Sequence, residues 1–254
     1  MKLAFGNRKA ADKVARAESN RLFGRYKPEE RHEVRGLDVK EDRIGLDVKE
    51  DRILMQLRKA WKRFDFESGA EIEENYNRAV SLVKDIKCSA KDVENFSILL
   101  GEFASEWAFS FKAGHFLSAL INNGKDNDYL LHVRHLSGDI DVLGFQNTKN
   151  ITIEGDVNSW LGMRMSTGSI IVKGNAGTWV GEQMRGGKIM IEGNARDGFG
   201  NRMENGEIHL NGRFVLGEHN QIRASRRVCI SIDIKGGRIY HRGILIVDKG
   251  GVIE

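Results

Sequence analysis

The stretch "GMRMSTGSIIVKGNAGTWVGEQMRGGKIMIEGNARDGFGNRMENGEIHLNG", Gly162–Gly212, writes one pattern three times. Gly155, Gly174, Gly193 and Gly212 follow at a strict step of 19, and so do Gly162, Gly181 and Gly200. Met165, Met184 and Met203, Gly168, Gly187 and Gly206, and Ile170, Ile189 and Ile208 keep the same step. Self-similarity at a fixed short period marks a repeat architecture. Within each unit the apolar residues alternate, as in "SIIVKG", "KIMIEG" and "EIHLNG", the pattern of short strands punctuated by glycine. Such a unit is too short for a βα repeat. At about 3.3 Å per strand residue it closes a loop of about 60 Å at most, the size of one coil of a parallel β-helix.

Stacked coils place identical columns over one another. The predicted interior columns are Val157, Ala176, Ala195; Leu161, Val180, Phe199; Met165, Met184, Met203; Ile170, Ile189, Ile208; and Val172, Ile191, Leu210. Left-handed corners, which glycine adopts without a Cβ clash, are the expected reason for the glycine columns. The repeat frays at both ends. Ile151 and Ile153 keep the columns of Ile170 and Val172, but Lys149 stands where a glycine is expected. "GGRIYHRG", Gly236–Gly243, matches "GGKIMIEG", Gly186–Gly193, and the step from Gly206 to Gly237 is 31, so one coil carries about a dozen extra residues within roughly 213–235.

Upstream the periodicity is helical. Leu54, Leu57, Trp61 and Phe64, then Ile72, Tyr76, Val80, Val83 and Ile86, recur at steps of 3 to 4. Ser89 and Asp92 form a capping box that opens one long apolar helix through Ile121, stopped by Asn122, Asn123 and Gly124. Its excess of Phe, Leu and Ile needs a surface to cover, and the first coil is the candidate, with Phe116, Leu117, Leu120 and Ile121 near it. "GLDVKEDRI", Gly36–Ile44, recurs letter for letter as Gly45–Ile53 and reads as a linker-like duplication. The expected class is α+β by segments: a basic, partly helical arm over 1–53, a helical region over 54–123 that caps the solenoid, and a right-handed parallel β-helix over 124–254.

The net charge of +4 is uneven, because residues 1–63 hold 18 Lys and Arg against 11 Asp and Glu. A basic arm without aromatic interleaving is a solvated segment more readily than a nucleic-acid binder. Cys88 and Cys229 form no C-x-x-C and imply no disulfide framework or zinc site. Together with the lack of a long apolar run, this predicts a cytoplasmic protein that does not span a membrane.

At "GNAGTWVGEQMRGGKIMIEGNA", Gly174–Ala195, the sequence resembles the GXGXG family: the C-terminal β-helix domain of the large subunit of glutamate synthase, and the C subunit of formylmethanofuran dehydrogenase. Gly174, Asn175, Ala176, Gly177, Val180, Gly181, Met184, Gly186, Gly187 and Ile189 fill the signature, and the match runs over about 139–243. The resemblance implies a β-helix that assembles beside redox catalysts without supplying catalytic residues. The expected role is a non-catalytic assembly subunit or domain of an oxidoreductase complex. No cofactor would be bound by this chain, with a flavin or a molybdenum or tungsten cofactor in a partner subunit. The expected partner is such a subunit or another copy of the chain.

No catalytic, cofactor-binding or metal-ligating residue is predicted. No G-x-S-x-G occurs, and Ser159 and Ser166 occupy coil positions. The G-x-G strings lack the strand–helix context of a dinucleotide site. His132 and His135 stand three apart in a predicted strand, which would turn them to opposite faces. His115, inside the apolar helix, reads as a core histidine. Candidate partner contacts are Trp160 and Trp179, predicted to form an outward ladder ending at Gly198, and Arg223, Arg226 and Arg227 in the insertion. The competing reading of the Trp pair is that the protein's own helices cover it. The alternative functions are a stand-alone enzyme, esterase-like or a small oxidoreductase, and a nucleic-acid binder using the basic arm.

Overall fold

The 19-residue period becomes a stack of strands in the computed structural model, which describes residues 52–136, 140–215, 233–249 and 251–253, all within the compact unit Lys49–Glu254. The basic arm, both copies of the duplicated nonapeptide up to residue 51, and Arg223, Arg226, Arg227 and Cys229 lie outside the described residues.

Strands β1 (Asp128–His132), β2 (Asn150–Glu154), β3 (Ser169–Val172), β4 (Lys188–Ile191), β5 (Glu207–Leu210) and β6 (Arg238–His241) pair in parallel, each with the next. Asn150 lies opposite Ser169, Ser169 opposite Lys188 and Lys188 opposite Glu207, which is the period of 19. Glu207 then faces Arg238, so the longer last coil is placed as its glycines predict. Two antiparallel strands follow, β7 (Ile244–Asp248), which folds back on β6, and β8 (Gly251–Val252), which pairs with β7. All fifteen predicted interior residues are buried, from Val157 to Leu210.

The glycine columns are needed for two different reasons. Gly181 does sit in the left-handed region, at φ 68°, and a Cβ there would come within 2.5 Å of Ile208 Cδ1 in the next coil. Gly174 does not have positive φ; a Cβ there would lie 2.3 Å from the carbonyl oxygen of Gly155 in the coil before. Gly174, Gly193 and Gly212 are glycine because adjacent coils approach that closely, which corrects the expectation that every column is a left-handed corner; only Gly155, first in that column, has positive φ, at 137°. Left-handed backbone is also taken by other residues: Trp160, Gly162 and Arg164 alternate with ordinary ones at φ 60°, 66° and 55°, and Trp179, Gly181 and Gln183 repeat this at 60°, 68° and 54°. The alternation aims successive amides both ways along the stack. Trp160 N–H donates to Thr178 in the next coil, Gly162 N–H to Leu143 in the previous one, and Arg164 N–H to Glu182 in the next.

Beside the corner runs a ladder of side chains. The Asn175 amide donates to Asp156 Oδ1 at 2.7 Å, that of Asn194 to Asn175 Oδ1 at 2.8 Å, and that of Arg213 to Asn194 Oδ1 at 2.9 Å. An acceptor at this column therefore fixes the register of each coil on the last.

Among the described residues four α-helices precede the stack: α1 (Arg52–Arg63), α2 (Ile72–Val83), α3 (Ala90–Leu99) and α4 (Phe109–Asn123). Ser89 and Asp92 form the capping box, as expected. The single long helix is instead two, separated by a 3₁₀ turn, Leu100–Phe103, and a left-handed Ala108 at φ 56°. The break lets α3 lie along β1 while α4 lies along 141–145, so both stretches of the first coil are covered. Trp61 joins the helices, with Phe103 stacked at 5.2 Å and Phe116 edge-on at 5.5 Å. Its indole N–H donates to Glu106, and the Lys112 ammonium lies 4.6 Å over its ring. Phe116, Leu117, Leu120 and Ile121 are all fully buried, although they lie on different sides of α4. This is possible because α4 is wrapped by helices on one side and by the coil on the other.

Candidate functional site

The predicted tryptophan column is only partly the ladder expected. Trp160 and Trp179 owe their outward placement to left-handed corners rather than to strand alternation. Trp160 is half-buried against α4, its ring 6.0 Å from Phe111. Trp179 is 39% exposed, and its indole lies along the following coil, where a Cβ on Gly198 would come within 3.0 Å of it. The stack leaves room for the indole only because Gly198 has no side chain.

The helical region extends the aromatic run. Phe111 stacks on Phe66 at 5.8 Å, and Phe66 meets Trp107 at 6.1 Å. Trp107, at the turn before α4, is 69% exposed. A chain of rings thus leads from Trp107 through Phe66 and Phe111 to Trp160, with Trp179 one coil beyond. Sequence reasoning found its solenoid half from the 19-residue step. It missed Phe66 and Trp107, whose spacing belongs to no repeat and whose proximity follows from the break between α3 and α4.

A second feature is polar. His132, Arg134, His135 and Glu154 line an open recess of about 510 Å³ beside β1. The strand ends at His132 and the chain turns through a 3₁₀ segment, Arg134–Leu136, so His135 comes to the same recess instead of the opposite face. His132 lies 3.2 Å from Glu94 Oε1 through Nε2 and 3.1 Å from Glu154 Oε2 through Nδ1. Both ring nitrogens face carboxylates, which leaves neither nitrogen aimed at an open position. The Lys91 ammonium, with His132, holds the Glu94 carboxyl below its usual range. Lys173 does the same for Glu154, again helped by His132. These contacts read as a tie between α3 and the first two coils. Among the described residues no three His, Cys, Asp or Glu side chains converge as a metal site.

The remaining chemical candidates are also held in structural contacts. Ser159 Oγ contacts Thr178 Oγ1 at 3.0 Å, and its amide donates to Asp141 Oδ1 at 2.9 Å. Asp141 in turn accepts from Ser110 of α4, so this buried carboxylate joins helix and solenoid. His115 is buried between the carbonyls of Phe111, at 2.7 Å, and Ile72, at 3.1 Å. Burial, partly opposed by these carbonyls, lowers its pKa. Burial raises that of the free thiol Cys88, with Asp92 adding to the effect. No described helix is long and apolar enough to cross a membrane. Comparison with protein-family models, with curated proteins and with solved structures returns no match.

Proposed function

We propose that the chain is a non-catalytic assembly subunit or domain of an oxidoreductase complex, of the kind the GXGXG signature implies. The observation that carries this reading is the assignment of the signature residues to stacking. Gly174 admits the previous coil, Gly181 admits Ile208, Asn175 carries the ladder, and Met184, Val180 and Ile189 fill the interior. None of them is left over for chemistry. The result is a filled rod, closed by helices at one end and by β6–β8 at the other.

A rod of this kind acts through its surface. The exposed rings of Trp107 and Trp179, at the two ends of the aromatic run, are the contacts assigned to a redox partner, since buried aromatic anchors dominate interface energetics. The partner, not this chain, would hold the flavin or the molybdenum or tungsten cofactor. The test is purification of the native protein from its source under mild conditions. Co-purification with a subunit carrying one of these cofactors, abolished by Trp179→Ala with the fold intact, is the expected result. A chain that purifies alone with hydrolase or oxidoreductase activity of its own would overturn the reading.

A further inference from the structure

The outward face of the parallel sheet carries three columns whose charges have an internal symmetry. Along β1 to β6 the register aligns Asp128, Asn150, Ser169, Lys188, Glu207 and Arg238 in one column. Leu130, Thr152, Ile171, Met190, His209 and Tyr240 form the middle column, half-buried and mostly apolar, with His209 and Tyr240 stacked at 4.3 Å. The third column begins His132 and Glu154 and continues with Lys173, Glu192, Asn211 and Arg242, each donating its amide to the strand before. An apolar spine bordered by two charged margins is the anatomy of a binding face.

We propose that this face receives a second copy of the chain, the two sheets face to face about a two-fold axis that runs along the strands between β3 and β4. Such an axis keeps each column opposite itself and reverses the order of the coils. Ile171 then meets Met190 of the second copy at the centre, and Leu130 meets Tyr240. In the margins Asp128 meets Arg238 and Lys173 meets Glu192, each pair made twice, and no two permanently like charges are opposed. The other two-fold arrangement, with the axis along the stack, lays one margin on the other. It sets Arg238 against Arg242 and retains only Lys188 against Glu192 as an opposite pair. Charge complementarity therefore selects both the occupant and its orientation.

The face measures about 24 Å across six strands and about 16 Å along them, small for a specific interface, so the dimer is expected to dissociate in the micromolar range. The test is sedimentation of the purified full chain from about 1 to about 100 μM, which needs no redox partner and so reads independently of the assembly role. A monomer–dimer equilibrium is expected. Asp128 and Arg238 stand at opposite ends of one column, about 24 Å apart within a chain, too far to couple except through a second copy. Asp128→Lys and Arg238→Glu should each weaken the dimer about tenfold, and the double variant should restore it to within about threefold. Ile171→Glu should leave a monomer, with circular dichroism reporting that each variant is folded. A monomer throughout the concentration range overturns the proposal. So does a dimer indifferent to Ile171→Glu, or a double variant no tighter than the singles.

Discussion

The amide of Gly144 in the first coil donates to Ser118 Oγ of α4 at 2.9 Å, and the same hydroxyl accepts from Phe145 at 3.2 Å while donating to the Gly114 carbonyl. The arrangement recurs at the other stretch of that coil, where His132 N–H donates to Ser97 Oγ of α3 at 2.9 Å. The edge of a stack presents unpaired backbone groups, and these serines supply partners that a further coil would have given. Both serines are buried, so neither can be replaced by water at no cost. Ser118→Ala is expected to destabilise the protein by about 1–3 kcal/mol, the penalty for leaving buried donors unmade, and Ser97→Ala by the lower part of that range. Urea unfolding curves compared with wild type measure both. An unchanged midpoint for Ser118→Ala would show that the hydroxyl does not satisfy the edge.

The two classes of glycine separate under substitution. At Gly181 alanine incurs left-handed strain and a side-chain clash, but Ile208 Cδ1 is the end of a flexible group and can turn away. Gly181→Ala is expected to cost roughly 1–3 kcal/mol, and Gly181→Val more, because a β-branched residue is least tolerant of that region. At Gly174 the φ is ordinary, yet the obstruction is the backbone carbonyl of Gly155, which cannot move without parting the coils. Gly174→Ala should therefore lower the thermal midpoint at least as much as Gly181→Ala despite the absence of strain. The reverse order in calorimetry would contradict the stacking assignment.

This distinction also marks how far the sequence is legible. Period and alternation reveal the interior columns, since each coil repeats the same burial and Ile170, Ile189 and Ile208 can be compared directly. The break at Ala108 has no such signal: its left-handed backbone belongs to a residue that ordinarily favours helix, and only the two-sided fit to the first coil explains it. The aromatic run is hidden for the same reason, because Trp107 and Phe66 become neighbours of Phe111 through helix packing. Asp156, Asn175 and Asn194 each follow a glycine at the 19-residue step, yet the sequence reading passes over them, because the hydrogen bonds they accept from the next coil's amides follow only from the coil spacing.

His115 gives the fold a dependence on pH whose sign follows from its burial. Its folded pKa lies below the ordinary 6.5, so the unfolded chain takes up a proton that the folded one refuses. Above about pH 6.5 the ring is neutral in both states and its contribution is complete; as the pH falls, stability drops by up to about 1.4 kcal/mol per unit until the folded value is reached. Urea midpoints taken from about pH 7.5 down to about pH 5 should decline more steeply for wild type than for His115→Gln. Parallel curves would mean that the imidazole does not titrate differently in the two states.

The covered edge also predicts what happens when its cover is removed. Without residues 1–123 the amides of His132, Gly144 and Phe145 lose their serine acceptors, and Leu131, Leu143 and Phe145, all buried in the intact protein, lose the helices packed on them. An open parallel edge beside an apolar cross-section is a template for pairing with other chains. The fragment from Gly124 onward is therefore expected to elute from a sizing column as large aggregates. Removal of residues 1–35 alone leaves α1 to α4 whole, beginning at Arg52, and should preserve both the elution position and the melting temperature of the full chain. A soluble, monomeric fragment from Gly124 would show that the first coil needs no cover, and that the helices form a domain able to stand apart from the stack.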